Sequence, residues 1–77
     1  MKTVTIRLDS IEKVKGLVNT ISMMEGDFDL VSGRYRVDAK SIMGIFSLDV
    51  SKPLTLEIQD DTVAEKVVPL LKDFIVE

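Results

Sequence analysis

The sequence contains no cysteine and no histidine. Without cysteine, neither a disulfide nor a thiolate metal site can support the fold. Without histidine, the usual imidazole base, phosphoryl acceptor and metal ligand are missing, and no serine–histidine triad can be assembled. Aromatic residues make up 5% of the chain and tryptophan is absent, so the core must be largely aliphatic. No apolar run approaches the roughly 20 residues that span a bilayer. Met1 to Thr5 shows no signal-peptide core, so a soluble cytoplasmic protein with no membrane partner is expected. An excess of positive charge is lacking too; the net charge of −3 argues against nucleic acid as a direct partner. There is no glycine-rich phosphate loop, metal cage, paired-carboxylate site, repeat or linker. The residues therefore suggest no catalytic role, no cofactor and no metal: a binding protein, not an enzyme.

What is present is a chain of 77 residues, read as one domain over 1–77. A chain this short buries only about 60% of its unfolded surface, so its 45% apolar content has to supply the stability. Thr3 to Leu8 alternates, with Val4, Ile6 and Leu8 on one side, and reads as a strand. Asp9 with Glu12 resembles a capping box, and Ile11, Val14, Leu17, Val18, Ile21 and Met24 form one helical stripe behind it. Gly16 within that stripe marks a close-packing point, and Gly26 a left-handed helix terminator. Phe28 to Val31 and Arg34 to Asp38 read as a hairpin turning at Ser32-Gly33. That register sets Leu30 opposite Tyr35, Phe28 opposite Val37 and Asp29 opposite Arg36. Pro53 opens a strand in which Leu54, Leu56 and Ile58 point inward. Thr62 with Glu65 suggests a second capping box, followed by a stripe of Val63, Val67, Leu70, Leu71 and Phe74. Pro69 should kink this last helix near Val68. The order strand, helix, strand, strand, helix, strand, helix, with every strand apolar on one face, predicts an α+β fold: one antiparallel sheet with helices on one side and water on the other.

One stretch, Lys40-Ser41-Ile42-Met43-Gly44-Ile45-Phe46-Ser47-Leu48, carries more apolar side chains than one short helix can bury. Helical spacing puts Ile45 and Leu48 on one stripe and turns Ile42, Met43 and Phe46 to another side. Either the helix, roughly Ser41 to Leu48, is enclosed, or part of it faces a partner. Ser41 is a good N-cap, which alone accounts for its position. A phosphate there would change the surface beside Ile42, Met43 and Phe46 while leaving the fold in place, so a cap can also be a switch.

This order of elements, together with the Lys40 to Leu48 segment, resembles the HPr family, the small phosphocarriers of the bacterial sugar phosphotransferase system. The resemblance implies an open-faced β-α-β-β-α-β-α sandwich with strand order 1-4-2-3 and three helices on one face. It also implies that Ser41 matches the serine modified by HPr kinase, and that Ile42, Met43 and Phe46 lie on the family's partner-binding patch. The family's first loop carries a phosphate-accepting histidine followed by an arginine and a proline. Here Asp9-Ser10-Ile11-Glu12-Lys13-Val14-Lys15-Gly16 holds none of the three. In this the chain is similar to the catabolite-repression HPr homologue. The leading reading is a regulatory HPr-like protein without histidine phosphoryl transfer, with HPr kinase and a CcpA-type regulator as partners, monomeric or weakly dimeric. A second is an interaction module on the same scaffold with an unrelated partner. A third is a phosphocarrier with a different acceptor.

Overall fold

A computed structural model describes residues 1–76. Four strands, β1 (Lys2–Ile6), β2 (Phe28–Ser32), β3 (Tyr35–Asp38) and β4 (Leu54–Ile58), form one antiparallel sheet in the order β1-β4-β2-β3. Three α-helices, α1 (Ile11–Ser22), α2 (Ile42–Phe46) and α3 (Asp61–Val67), complete the α+β sandwich, and a 3₁₀ turn over Val68–Leu71 follows α3. The register places Val4, Leu56, Leu30 and Val37 in one row across the sheet and Ile58 beside Phe28 in the next. These rows meet Val14, Leu17, Val18 and Ile21 of α1, Ile45 of α2 and Ala64 and Val67 of α3 in a single core with no buried polar side chain among the described residues. No helix among those residues is long and apolar enough to cross a membrane.

The other face of the sheet is polar, as alternation requires. Thr3, Glu57, Asp29 and Asp38 form one cross-strand row there, which sets three carboxylates side by side. Arg36, in the neighbouring row, reaches back to Asp29 and Glu57 and offsets their repulsion. The hydrogen bond to Glu57 is the chief reason the Arg36 guanidinium is held still more firmly in its charged form.

Several expectations are corrected. The hairpin turns at Gly33-Arg34, not Ser32-Gly33, so Leu30 faces Val37 and Asp29 faces Asp38. Gly33 at φ +59, followed by a residue with negative φ, supplies the positive first position of a tight hairpin turn. The register is thus displaced by two residues, which leaves every side chain on its expected face. Tyr35 slides past the end of the core and is exposed. β1 stops at Ile6 because its partner β4 begins at Leu54, opposite Ile6. The Arg7 amide turns instead to the Phe74 carbonyl, at 2.9 Å. Ser10, not Asp9, caps α1 by accepting the Lys13 amide at 3.2 Å; Asp9 pairs with the Lys13 ammonium. Asp60, not Thr62, caps α3, accepting the amides of Thr62 and Val63. Ile11, at the start of its stripe, and Leu70, in the middle of the last one, are exposed. Pro69 ends α3 and tightens the chain into the 3₁₀ turn, where a kinked continuation was expected. Gly16 does lie against Phe74, and Gly26 does take a left-handed φ of +97.

Candidate functional site

The site is the short helix α2 and its entry. Five residues cannot sustain a helix unaided, so α2 depends on what surrounds it. Asp38, the last residue of β3, organises the approach. Its side-chain Oδ1 accepts the Lys40 amide at 2.9 Å, and its carbonyl accepts the Ser41 amide at 3.0 Å. One residue earlier, the Ala39 amide donates to the Phe28 carbonyl, which carries the sheet up to the turn.

Ser41 is extended, and its Oγ accepts the Gly44 amide at 3.1 Å, so it caps α2 as its residue type predicts. Gly44 is closely packed. A Cβ there would sit 3.3 Å from Ser41 Oγ and 3.4 Å from Val37 Cβ. The missing side chain lets α2 rest on β3 while the cap stays closed. At the far end the amides of Ser47 and Leu48 bond three residues back, to Gly44 and Ile45, so the expected helix to Leu48 ends in a tightened turn.

This geometry sorts the apolar side chains. Ile45 is fully buried and Leu48 nearly so, whereas Met43 is 82% exposed, Phe46 45% and Ile42 36%. Ile42, Met43 and Phe46 therefore form an exposed apolar group behind a serine whose own side chain is half-buried. Large exposed apolar groups clustered in this way mark contact surfaces more often than isolated ones do. One surface groove, of about 540 Å³, lies along Lys2, Asp61, Glu65 and Pro69. Another, of about 770 Å³, runs between the hairpin tip and the loop before β4. Ser41, Ile42, Met43 and Phe46 line neither groove.

The loop from β1 to α1 is occupied by local contacts. Leu8 is buried, Ser10 occupies the helix cap, and Asp9 and Lys13 neutralise each other at 3.4 Å. Among the described residues no group of three or more acidic side chains is placed to hold a metal ion.

Lys40 is the residue the sequence pattern did not single out. Its ammonium donates to the carbonyls of Met24 at 2.8 Å and Gly26 at 3.0 Å and lies 5.4 Å from the centre of the Phe28 ring. Its only sequence signal is adjacency to Ser41.

No protein-family model matches the chain, and no curated protein sequence does. Solved structures do. HPr-C-His from Thermoanaerobacter tengcongensis superposes with a TM-score of 0.74 at 28% identity, covering 94% of this chain and 92% of that one. The phosphocarrier protein HPr from Bacillus anthracis str. Ames gives 0.67 at 26% identity, covering 97% and 94%. Strand order, element order and near-complete coverage agree, and the chain has the HPr-like fold and is similar in sequence to these phosphocarrier proteins.

Proposed function

We propose that this is a regulatory, protein-binding member of the HPr-like family, with residues 1–77 acting as one domain, that does not transfer phosphoryl groups through histidine. The supporting observation is a pairing. The chain has no histidine, and Ile42, Met43 and Phe46 stand exposed together on α2 with Ile45 buried behind them. Ser41 is the residue whose phosphorylation controls this face, with HPr kinase as the modifying enzyme and a CcpA-type regulator as the reader. The cap geometry fits a substrate role. Ser41 Oγ accepts one hydrogen bond and keeps its own proton. Phosphorylation replaces that proton with a dianionic group beside the apolar side chains, which changes the surface that a partner meets.

Incubation with HPr kinase and ATP, followed by intact mass measurement and peptide mapping, is the test. One added phosphate on wild type and none on Ser41→Ala is the expected result. An unmodified wild-type protein removes the regulatory reading and leaves an interaction module whose partner binds the α2 face directly. Phosphate transferred to the chain from phosphoenolpyruvate by enzyme I would instead establish a carrier with a non-histidine acceptor.

A further inference from the structure

We infer that Lys40 is a positioning residue, a tether that fixes the Ser41–Phe46 face against the end of α1, so that engagement of that face depends on it. The inference deepens the reading of α2 as a docking face and rests on that reading for its functional half. The hydrogen bonds that Asp38 accepts from the Lys40 and Ser41 amides are local. They shape the turn into α2 without joining it to anything beyond β3. The Lys40 side chain leaves the turn. It reaches carbonyls 16 and 14 residues upstream, on Met24 and Gly26, and lies against the ring of Phe28, which is buried at the start of β2.

The other partner in this contact has a matching need. A helix leaves its last carbonyls unsatisfied and its C-terminus partially negative. The last turn of α1 carries no basic residue of its own. The charge that end calls for is supplied from the entry of α2. One ammonium thus joins the connection that follows α1, the start of β2 and the entry of α2, and it sits next to the serine on which the proposed switch depends. Without it, the Met24 and Gly26 carbonyls just past α1 pass to water, and α2 is held by Ile45, Leu48, its rest on β3 and the turn before it. An element with so few attachments opens locally before the sheet does.

Lys40→Met keeps the apolar stem and removes the donors; Lys40→Gln is a second neutral variant; Lys40→Arg keeps the charge and the donors. Amide hydrogen exchange at Gly44 and Ile45, whose N–H groups bond to Ser41, reads the opening of α2, with Leu30 and Leu56 as sheet references. The expected result for both neutral variants is exchange about tenfold faster at Gly44 and Ile45, the scale of one charge-assisted hydrogen bond, with the references slowed or hastened far less. Lys40→Arg should stay near wild type. In wild type itself, the ammonium protons of Lys40 should exchange more slowly than those of exposed Lys15.

For the functional half, phosphorylation of Ser41 by HPr kinase is compared across the variants. The neutral variants should raise KM for the protein severalfold and leave kcat within about twofold. The tether is overturned by unchanged exchange at Gly44 and Ile45, by equal acceleration of every amide, or by Lys40→Arg behaving as Lys40→Met. An unchanged KM overturns the functional half. If wild type is not phosphorylated at all, the regulatory reading fails, while the exchange experiment still decides the tether.

Discussion

Gly16 gives the sharpest test of the packing argument, because two effects of known size oppose each other there. Glycine inside a helix costs about 1 kcal/mol relative to alanine, so Gly16→Ala should stabilise α1 by that amount if the methyl group fits. A Cβ at this position meets Phe74 Cζ at 3.3 Å and Cε1 at 3.8 Å. The first contact is a few tenths of an ångström too short, so the ring has to yield. The backbone of Phe74 is pinned, its amide to the Leu71 carbonyl at 2.8 Å and its carbonyl to the Arg7 amide at 2.9 Å. The ring itself is only half-buried. With a lever of roughly 5 Å from the rotatable bond to the ring tip, the required shift is about 5° of side-chain rotation, well inside the ~30° at which off-rotamer costs reach 0.5–1.5 kcal/mol. The propensity term wins. Gly16→Ala should stabilise the protein by about 0.5–1 kcal/mol, raising Tm by roughly 3–6 °C for a domain of this size. With a urea m-value of roughly 1 kcal/mol/M, the midpoint should rise by about 0.5–1 M with m unchanged. In a Phe74→Ala background the gain should approach the full 1 kcal/mol, since the contact is gone. A lower midpoint at constant m in Gly16→Ala would refute the reasoning, for it would mean that the ring is held as firmly as the backbone.

Other expectations are shorter. Ser41→Ala removes the α2 cap and should cost about 1 kcal/mol in urea unfolding, whereas Ser41→Asp, itself a capping residue, should cost a few tenths. Ile45→Ala should cost about 2–4 kcal/mol, but Met43→Ser, one turn face away, should stay within about 0.5 kcal/mol; similar losses at both positions would contradict the exposed face. Asp49 is held below the usual carboxylate range, first by the Ser51 hydroxyl and then by the Ser51 amide, with Lys52 adding less. Its contribution to stability is complete above the unfolded value of ~3.9 and is lost as pH falls through the lower folded value. Asp49→Asn should therefore lower the unfolding midpoint slightly above about pH 4, where the contribution is complete, and converge with wild type at the acid end, so that its midpoint-versus-pH curve is flatter.

The sheet was legible because alternation reports faces directly. Val4, Ile6, Leu54, Leu56 and Ile58 were assigned by period alone and lie where it put them, half-buried or buried. The hairpin register was not legible, because displacement by two residues preserves that period; only the backbone of Gly33 distinguishes the two pairings. Both misplaced caps have the same cause. Asp9-Ser10 and Asp60-Asp61-Thr62 each offer more than one good capping residue in a row, and the choice depends on which residue is extended. The division of α2 into buried Ile45 and exposed Ile42, Met43 and Phe46 follows from helical spacing. The reach of Lys40 to Met24 and Gly26 does not, since a side chain bound to distant backbone carbonyls leaves no periodic trace.

The hydrogen bonds from Val76 to Thr5 and from Arg7 to Phe74 join segments from opposite ends of the sequence. Nearly the whole polypeptide must be ordered before those two strips can meet, so this seam closes late in folding and frays early. While it holds, it zips the outward-facing main chain of Thr5 and Arg7 and blunts one border of the sheet. Once it peels, β1 presents a bare hydrogen-bonding margin, the kind of surface on which another copy can template.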